Sequence, residues 1–248
     1  MDIVSHQYRH LNRLCPVVSC CCEDCVICSQ GAKDTASANI HRAMPARATQ
    51  LLRVEVQPPP GDLVAPDGFP ADPRPKGAPQ TFLDAMDIRI KVFCDEQQCA
   101  IEPELDEDDP KSWSWVAYQS MSNDDTPLPV STFRIVPPPH PSHPNGYHNP
   151  AEEPYIKLTR VATLQPARGQ GLFQNLLREA FQFLSETPEV IGSEWKGLVL
   201  THAQVQVEGL YQRLGFVTDP KLGRWDEEGI EHLGMWFRLD LKQSSRSK

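Results

Sequence analysis

Over 155–185 the apolar positions change period once, and the change marks a junction between two elements. Ile156, Leu158, Val161 and Leu164, with β-branched Thr159 and Thr163 among them, read as a strand over 155–164. Leu172, Phe173, Leu176, Leu177, Ala180, Phe181 and Leu184 then recur at helical spacing and predict a helix over 170–185. Upstream, Phe82, Met86, Ile90 and Phe93 form one stripe of a helix over 81–97, with Asp84, Asp87, Arg89 and Lys91 elsewhere on its surface. Short apolar runs predict strands over 49–56, 113–119, 129–136 and 197–202, and closing strands near 216–219 and 232–240. Val205, Val207, Leu210, Tyr211 and Leu214 predict a helix over 205–214 that Gly215 ends as a C-cap. Trp113 and Trp115 alternate with Ser114 and Val116, so both indoles face one side of their strand and serve packing.

Strands 113–119 and 129–136 are close enough for an antiparallel meander, whereas 155–164 and 197–202 are separated by a helix. That mixture implies an α/β domain with a mixed sheet. The apolar positions are unevenly spread. Residues 1–48 show no sustained period and are expected to be a disordered, Cys-rich extension. A catalytic-size domain follows over 49–242, with a Pro-rich link at 57–80, a Pro/His-rich loop at 137–150 and a flexible tail at 243–248. The 248 residues are 40% hydrophobic, enough for a substantial core.

Charge and cysteine content narrow the options. A net charge of -9 disfavours a nucleic-acid surface, which needs clustered Lys and Arg. No apolar run is long enough to span a membrane, and the first residues carry Asp2, His6, Arg9, His10 and Arg13 where a secretory signal would be apolar. The expected location is intracellular, in the cytoplasm. Six of the eight cysteines fall between Cys15 and Cys28, with Cys22-x-x-Cys25 and Cys25-x-x-Cys28 at knuckle spacing, but no second Cys/His pair follows at a zinc-finger distance. His140, His143 and His148 lie in a stiff Pro-rich stretch with no carboxylate before Glu152. No metal is expected.

The junction itself carries the chemistry. Between strand and helix the chain reads Arg168-Gly-Gln-Gly171, leaving bare main chain where the first helical N–H groups lack partners and the helix dipole is positive, a place suited to an anion such as pyrophosphate. Downstream come Leu198-Val-Leu-Thr-His-Ala-Gln204, a helical run and Tyr211-Gln-Arg-Leu-Gly-Phe216. Strand, Arg-Gly-x-Gly turn and helix, followed by strand, helix and Tyr-x-x-Leu-Gly-Phe, resemble the GNAT superfamily of acetyl-CoA-dependent N-acetyltransferases over residues 80 to 240. Ile88-Arg-Ile-Lys-Val-Phe-Cys-Asp-Glu-Gln97, the acidic run Glu102 to Asp109 and His202-Ala-Gln204 are similar to the ElaA-like branch.

The resemblance implies a mostly antiparallel mixed sheet flanked by helices, with a splayed strand pair that binds acyl-CoA. It implies that main-chain groups of Val161, Ala162 and Thr163 hold the pantetheine arm, and that Arg168, Gly169, Gln170, Gly171 and Leu172 hold the pyrophosphate. Tyr211 is implied as the acid that protonates the leaving thiolate. Pro166 departs from the family pattern, which has Gln or Arg at that position. The chemistry also asks for a base, because an alkylammonium of pKa ~10.4 must lose a proton before it attacks. The residues offer Glu102 and Glu104 in the acidic run and His202 at the end of its strand. The expected activity is acetyl transfer from acetyl-CoA to a primary amine of a small molecule or amino sugar, by direct attack. A non-catalytic acyl-CoA-binding regulatory module and a protein or peptide N-acetyltransferase remain as alternatives. The acceptor is not legible, nor is the oligomeric state, a homodimer being one option.

Overall fold

The computed structural model describes residues 51–65, 72–120, 126–147, 149 and 151–242; the segment 1–48, His148 and the tail 243–248 lie outside the described residues. In chain order the elements are β1 (Leu51–Gln57), α1 (Gln80–Arg89), β2 (Trp113–Ser120), β3 (Leu128–Val136), β4 (Tyr155–Thr163), α2 (Leu172–Glu186), β5 (Leu198–Gln204), α3 (Glu208–Arg213), β6 (Val217–Thr218), β7 (Arg224–Glu227) and β8 (Ile230–Arg238). The strands form one 8-stranded sheet in the order β1-β2-β3-β4-β5-β8-β6, with β7 also on β8. All pairings are antiparallel except β4 with β5.

Each face of the sheet is covered because its strands are apolar on both sides. On one face α2 packs Leu172, Phe173, Leu176, Leu177, Ala180 and Leu184 against Trp115, Phe133, Ile135, Ile156, Leu158 and Val199. Both predicted indoles join this side: Trp115 stacks on Phe133 at 5.6 Å and Trp113 meets Phe183 at 5.5 Å. The other face carries α1 and the helical stretch that continues it, whose Ala85, Ile88 and Val92 rest on Val116, Tyr118 and Ala162.

The segment expected as one helix over 81–97 changes geometry midway: α1 ends at Arg89 and continues as a wider π-helical stretch, Ile90–Glu96. Arg89, expected off the apolar stripe, is nevertheless buried at 2% exposure. The helix beginning after Gln204 starts as a 3-10 turn, Val205–Val207, before α3. Strand β7 was not foreseen, since Arg224-Trp-Asp-Glu227 is exposed or half-buried and has no apolar alternation; it forms by hairpin pairing to β8.

One connection before β5 is sterically fixed. Gly197 has φ +92°, and a Cβ there would stand 2.1 Å from the Leu239 carbonyl oxygen, whose residue donates its own N–H to Gly197 O at 2.8 Å. Gly197→Ala is expected to cost about 2–4 kcal/mol, combining backbone strain with a clash against main chain. Urea unfolding measures this, and a loss below about 0.5 kcal/mol would contradict it.

Candidate functional site

The parallel pairing of β4 with β5 is short. It runs from Tyr155↔Leu198 to Leu158↔Thr201, after which both strands continue without pairing to each other. The cause lies in β4. Its partner β3 pairs Arg134 with Thr159 but Thr132 with Ala162, so β4 carries one extra residue between them. Arg160 takes it up at φ 51°, a left-handed conformation that is strained for a side-chain-bearing residue. The bulge bends β4 where its contact with β5 ends, and a gap opens between the strands.

The gap is lined by main chain. Leu164 N–H donates to Val130 O at 2.9 Å, so by alternation the main-chain groups of Val161 and Thr163 turn away from β3 toward the gap, while those of Ala162 face β3. At its far end β4 reaches the start of α2. Gly169 and Gly171 have φ 72° and 71°, and a Cβ on Gly171 would meet nothing nearer than Gln174 Oε1 at 3.7 Å. No side chain caps α2, and its first ladder bond is Asn175 N–H to Gly171 O at 3.0 Å. The N–H groups of Leu172, Phe173 and Gln174 therefore have no intrahelical acceptor. Arg168 does not extend outward. Its Nε donates to Thr163 O at 2.9 Å and its Nη2 to Glu96 Oε2 at 2.5 Å, which ties the turn to β4 and to the end of the π-helical stretch. Gln170 Nε2 donates to Pro166 O at 3.0 Å, and Gln119 Nε2 donates to Gln170 Oε1 at 2.8 Å.

Two ionisable candidates flank the fork from opposite faces. Tyr211 lies on the α2 side, 4% exposed, its ring edge-on to Phe173 at 5.7 Å and to Phe216 at 5.4 Å. Its hydroxyl is beside Thr201, the last β5 residue paired with β4, and burial pushes its pKa up to about 12. His202 lies on the α1 side, edge-on to Trp225 at 4.7 Å, with Nδ1 3.8 Å from Glu227 Oε1. Its Nε2 is buried without a hydrogen-bond partner, and desolvation, then Lys157 and the neighbouring histidines, lower its pKa to about 3. The ring is neutral at physiological pH.

The acidic run is folded rather than solvated. Three arginines from three elements converge on it. Arg89 Nε donates to Glu104 Oε2 at 3.0 Å and its Nη1 to Asp109 Oδ1 at 2.8 Å, while its Nη2 donates to the Glu104 carbonyl. Arg134 grips Asp106 through both terminal nitrogens at 2.6 and 2.9 Å, and Arg160 donates to Asp106 Oδ2 at 3.1 Å and to Pro103 O at 3.0 Å. Arg160 Nε is also 3.5 Å from Glu104 Oε2. The cluster thus holds the strained bulge residue from its side-chain end. Glu104 is 5% exposed and engaged by two guanidinium groups, whereas Glu102 is exposed on its 3-10 turn.

The candidates from 161–172, Tyr211 and His202 are therefore gathered around one gap, and Glu104 is drawn into an arginine cluster beside it. Sequence reading passed over Arg160 and Glu96. A bulge leaves no periodic mark, although three arginines spaced among apolar positions opposite an acidic run were a signal of pairing. Among the described residues no group of three or more His, Cys, Asp or Glu could hold a metal ion, and no helix is long and apolar enough to cross a membrane.

No family model matches the chain. Among solved structures, a Lactobacillus plantarum protein assigned to the N-acetyltransferases is similar with TM-score 0.51 and 20% identity, over 76% of this chain and 98% of that one. An acyl-CoA N-acyltransferase from Pseudomonas aeruginosa is similar with TM-score 0.50 and 20% identity, over 75% of this chain and 99% of that one. Escherichia coli ElaA aligns with TM-score 0.49 and 18% identity over 75% of this chain and 99% of its own. The mixed, mostly antiparallel sheet flanked by helices is thus a fold shared with the Lactobacillus plantarum and Pseudomonas aeruginosa structures.

Proposed function

We propose that the chain is an acyltransferase that moves an acetyl group from acetyl-CoA to a primary amine of a small molecule. The observation that carries this reading is the fork between β4 and β5, which opens at Leu158 and Thr201 and has uncapped N–H groups of α2 at its far end. Bound acetyl-CoA would supply a thioester as the acyl donor. The residues present fit it: Gly171 leaves the turn open to a diphosphate, and the main-chain groups of Val161 and the N–H of Thr163 are available to pantetheine amides, the Thr163 carbonyl being taken by Arg168. Arg168 contributes by bracing the turn, with its charge shared by Glu96.

Three tasks then fall to this chain. Main-chain N–H groups of β4 near the bulge polarise the donor carbonyl as charge develops on its oxygen. Tyr211, protonated across the physiological range, donates its proton to a departing thiolate whose conjugate acid titrates near ~8.5. For the base, Glu104 is committed to Arg89 and Arg160, and His202 at about 3 is too weak to take a proton from an alkylammonium. Glu102, exposed and reached through water, is the remaining carboxylate. The commitment of Glu104 also favours a second reading, in which the domain binds acyl-CoA as a regulatory module without turnover.

Calorimetric titration of acetyl-CoA into the full chain tests both. Wild type is expected to bind, and Gly171→Glu to lose about a hundredfold or more in affinity. The new carboxylate repels phosphate at the α2 N-terminus, and the φ of 71° strains any side chain there. No binding to folded wild type would sink the reading. Binding without turnover on any amine would select the regulatory module.

A further inference from the structure

We propose that the acceptor amine carries an anionic group, a carboxylate or a phosphate, and that Lys157 is the residue that receives it. This rests on the acyltransferase reading. Lys157 is on β4 one residue before the last paired position, Leu158, and shares the sheet face of His202 rather than that of Tyr211. In register its row runs from Val136 through Lys157 and Leu200 to Trp236, with Val136 and Leu200 fully buried. Lys157 is half-buried in these apolar surroundings, yet its ammonium makes no hydrogen bond and no ion pair with any described residue.

A cation in that situation loses hydration and gains no partner. Three carboxylates act on it at longer range, and each is held elsewhere. Asp108 pairs with Lys111 at 2.7 Å, Glu152 with His143 at 3.1 Å, and Glu227 accepts from Trp225 Nε1 at 2.5 Å. Besides the buried Nδ1 of His143, whose ring stacks on Tyr155 and stands edge-on to Trp236, the groups without a partner on this face include, among the described residues, the Lys157 ammonium and the buried Nε2 of His202, diagonal to it across β4 and β5. Together they present a charge for an anion and a hydrogen-bonding nitrogen for a polar group beside it. Burial also lowers the pKa of Lys157, as expected for an ammonium with an empty partner position. An acceptor lying along this face would direct its amine at the fork and its anion at Lys157, about two to three residues of strand away, or ~7–10 Å between backbone levels.

A matched panel of acceptors tests the inference with the full chain and acetyl-CoA, following coenzyme A release: 4-aminobutyrate, 2-aminoethyl phosphate, butylamine and 1,4-diaminobutane. The anionic amines are expected to exceed butylamine in kcat/KM by about tenfold to a hundredfold, the range of one charge-assisted contact. Lys157→Gln is expected to bring that ratio close to one through KM, with acetyl-CoA affinity by calorimetry unchanged, and Lys157→Arg to retain much of it. The carboxylate and phosphate arms identify which anion fits. Equal use of all four amines, preference for the diamine, or a ratio that survives Lys157→Gln would overturn the inference while leaving acyl transfer standing. Absence of acetyl-CoA binding by folded protein would overturn both.

Discussion

Arg89→Met is expected to destabilise the protein by about 3–5 kcal/mol, the cost of removing one partner from a buried ionic cluster. Methionine preserves most of the stem volume but leaves Glu104 and Asp109, 5% and 1% exposed, with one guanidinium fewer between them. Arg134 still reaches Asp109 at 2.9 Å, so that carboxylate keeps a partner, whereas Glu104 is left with Arg160 at 3.5 Å. Urea unfolding with an unchanged m-value measures the loss, and adding Glu104→Gln is expected to recover part of it. A loss below about 1 kcal/mol would mean that the cluster is more hydrated than its burial indicates.

The same cluster sets an acid limit. Arg89 and Arg134 hold the Asp109 carboxyl below its ordinary value of 3.8, against the effect of burial, and Arg134 does the same for Asp106. A depressed folded pKa gives stability that is fully present above the unfolded value and is lost as pH falls through the folded one. Wild type is therefore expected to lose stability progressively below about pH 4, and Arg89→Met to show a shallower loss over that window.

Tyr211→Phe is expected to lower kcat by about 10²–10⁴-fold, the range for a positioned general acid, while acetyl-CoA affinity stays within about twofold. The substitution is a clean probe because the ring contacts with Phe173 and Phe216 are retained. Thr201 also keeps its own bond to Leu158 O at 3.0 Å, so the fork is not disturbed. With the hydroxyl near 12, wild type should show no alkaline fall in rate from Tyr211 at any pH the fold tolerates comfortably. If kcat in the phenylalanine variant stays within about twofold of wild type, the hydroxyl serves packing and another donor protonates the thiolate.

Legibility from sequence differed sharply between the turn and the rest of the site. The elements around Arg168-Gly-Gln-Gly171 were readable because their signals are local. A period change from strand to helix, and two glycines in the left-handed region, depend on residues adjacent in the chain. The position of Tyr211 on its helix was readable for a similar reason, through the apolar stripe and the Gly215 that ends it, whereas its role as an acid came only from the family resemblance of the motif around it. By contrast, the charges of Arg89, Glu104 and Lys157 carried no such mark. A surface lysine and a half-buried unpaired one are identical as letters, and an acidic run reads as solvated until the arginines that fold it are brought in from α1, β3 and β4.

What the chain alone determined was the order of elements, the mixed character of the sheet, the bare turn before α2 and the amphipathic stripe of that helix. Each follows from dihedral preference and hydrophobic period over fewer than twenty residues. Long-range pairing decided the rest. The bulge at Arg160 exists because β3 and β4 must register on both sides of an extra residue, and the fork exists because that bend ends the ladder with β5. The arginine cluster that holds the bulge joins residues up to 57 positions apart, as from Arg160 to Pro103. Such contacts depend on where folding carries each backbone, and no local preference encodes them.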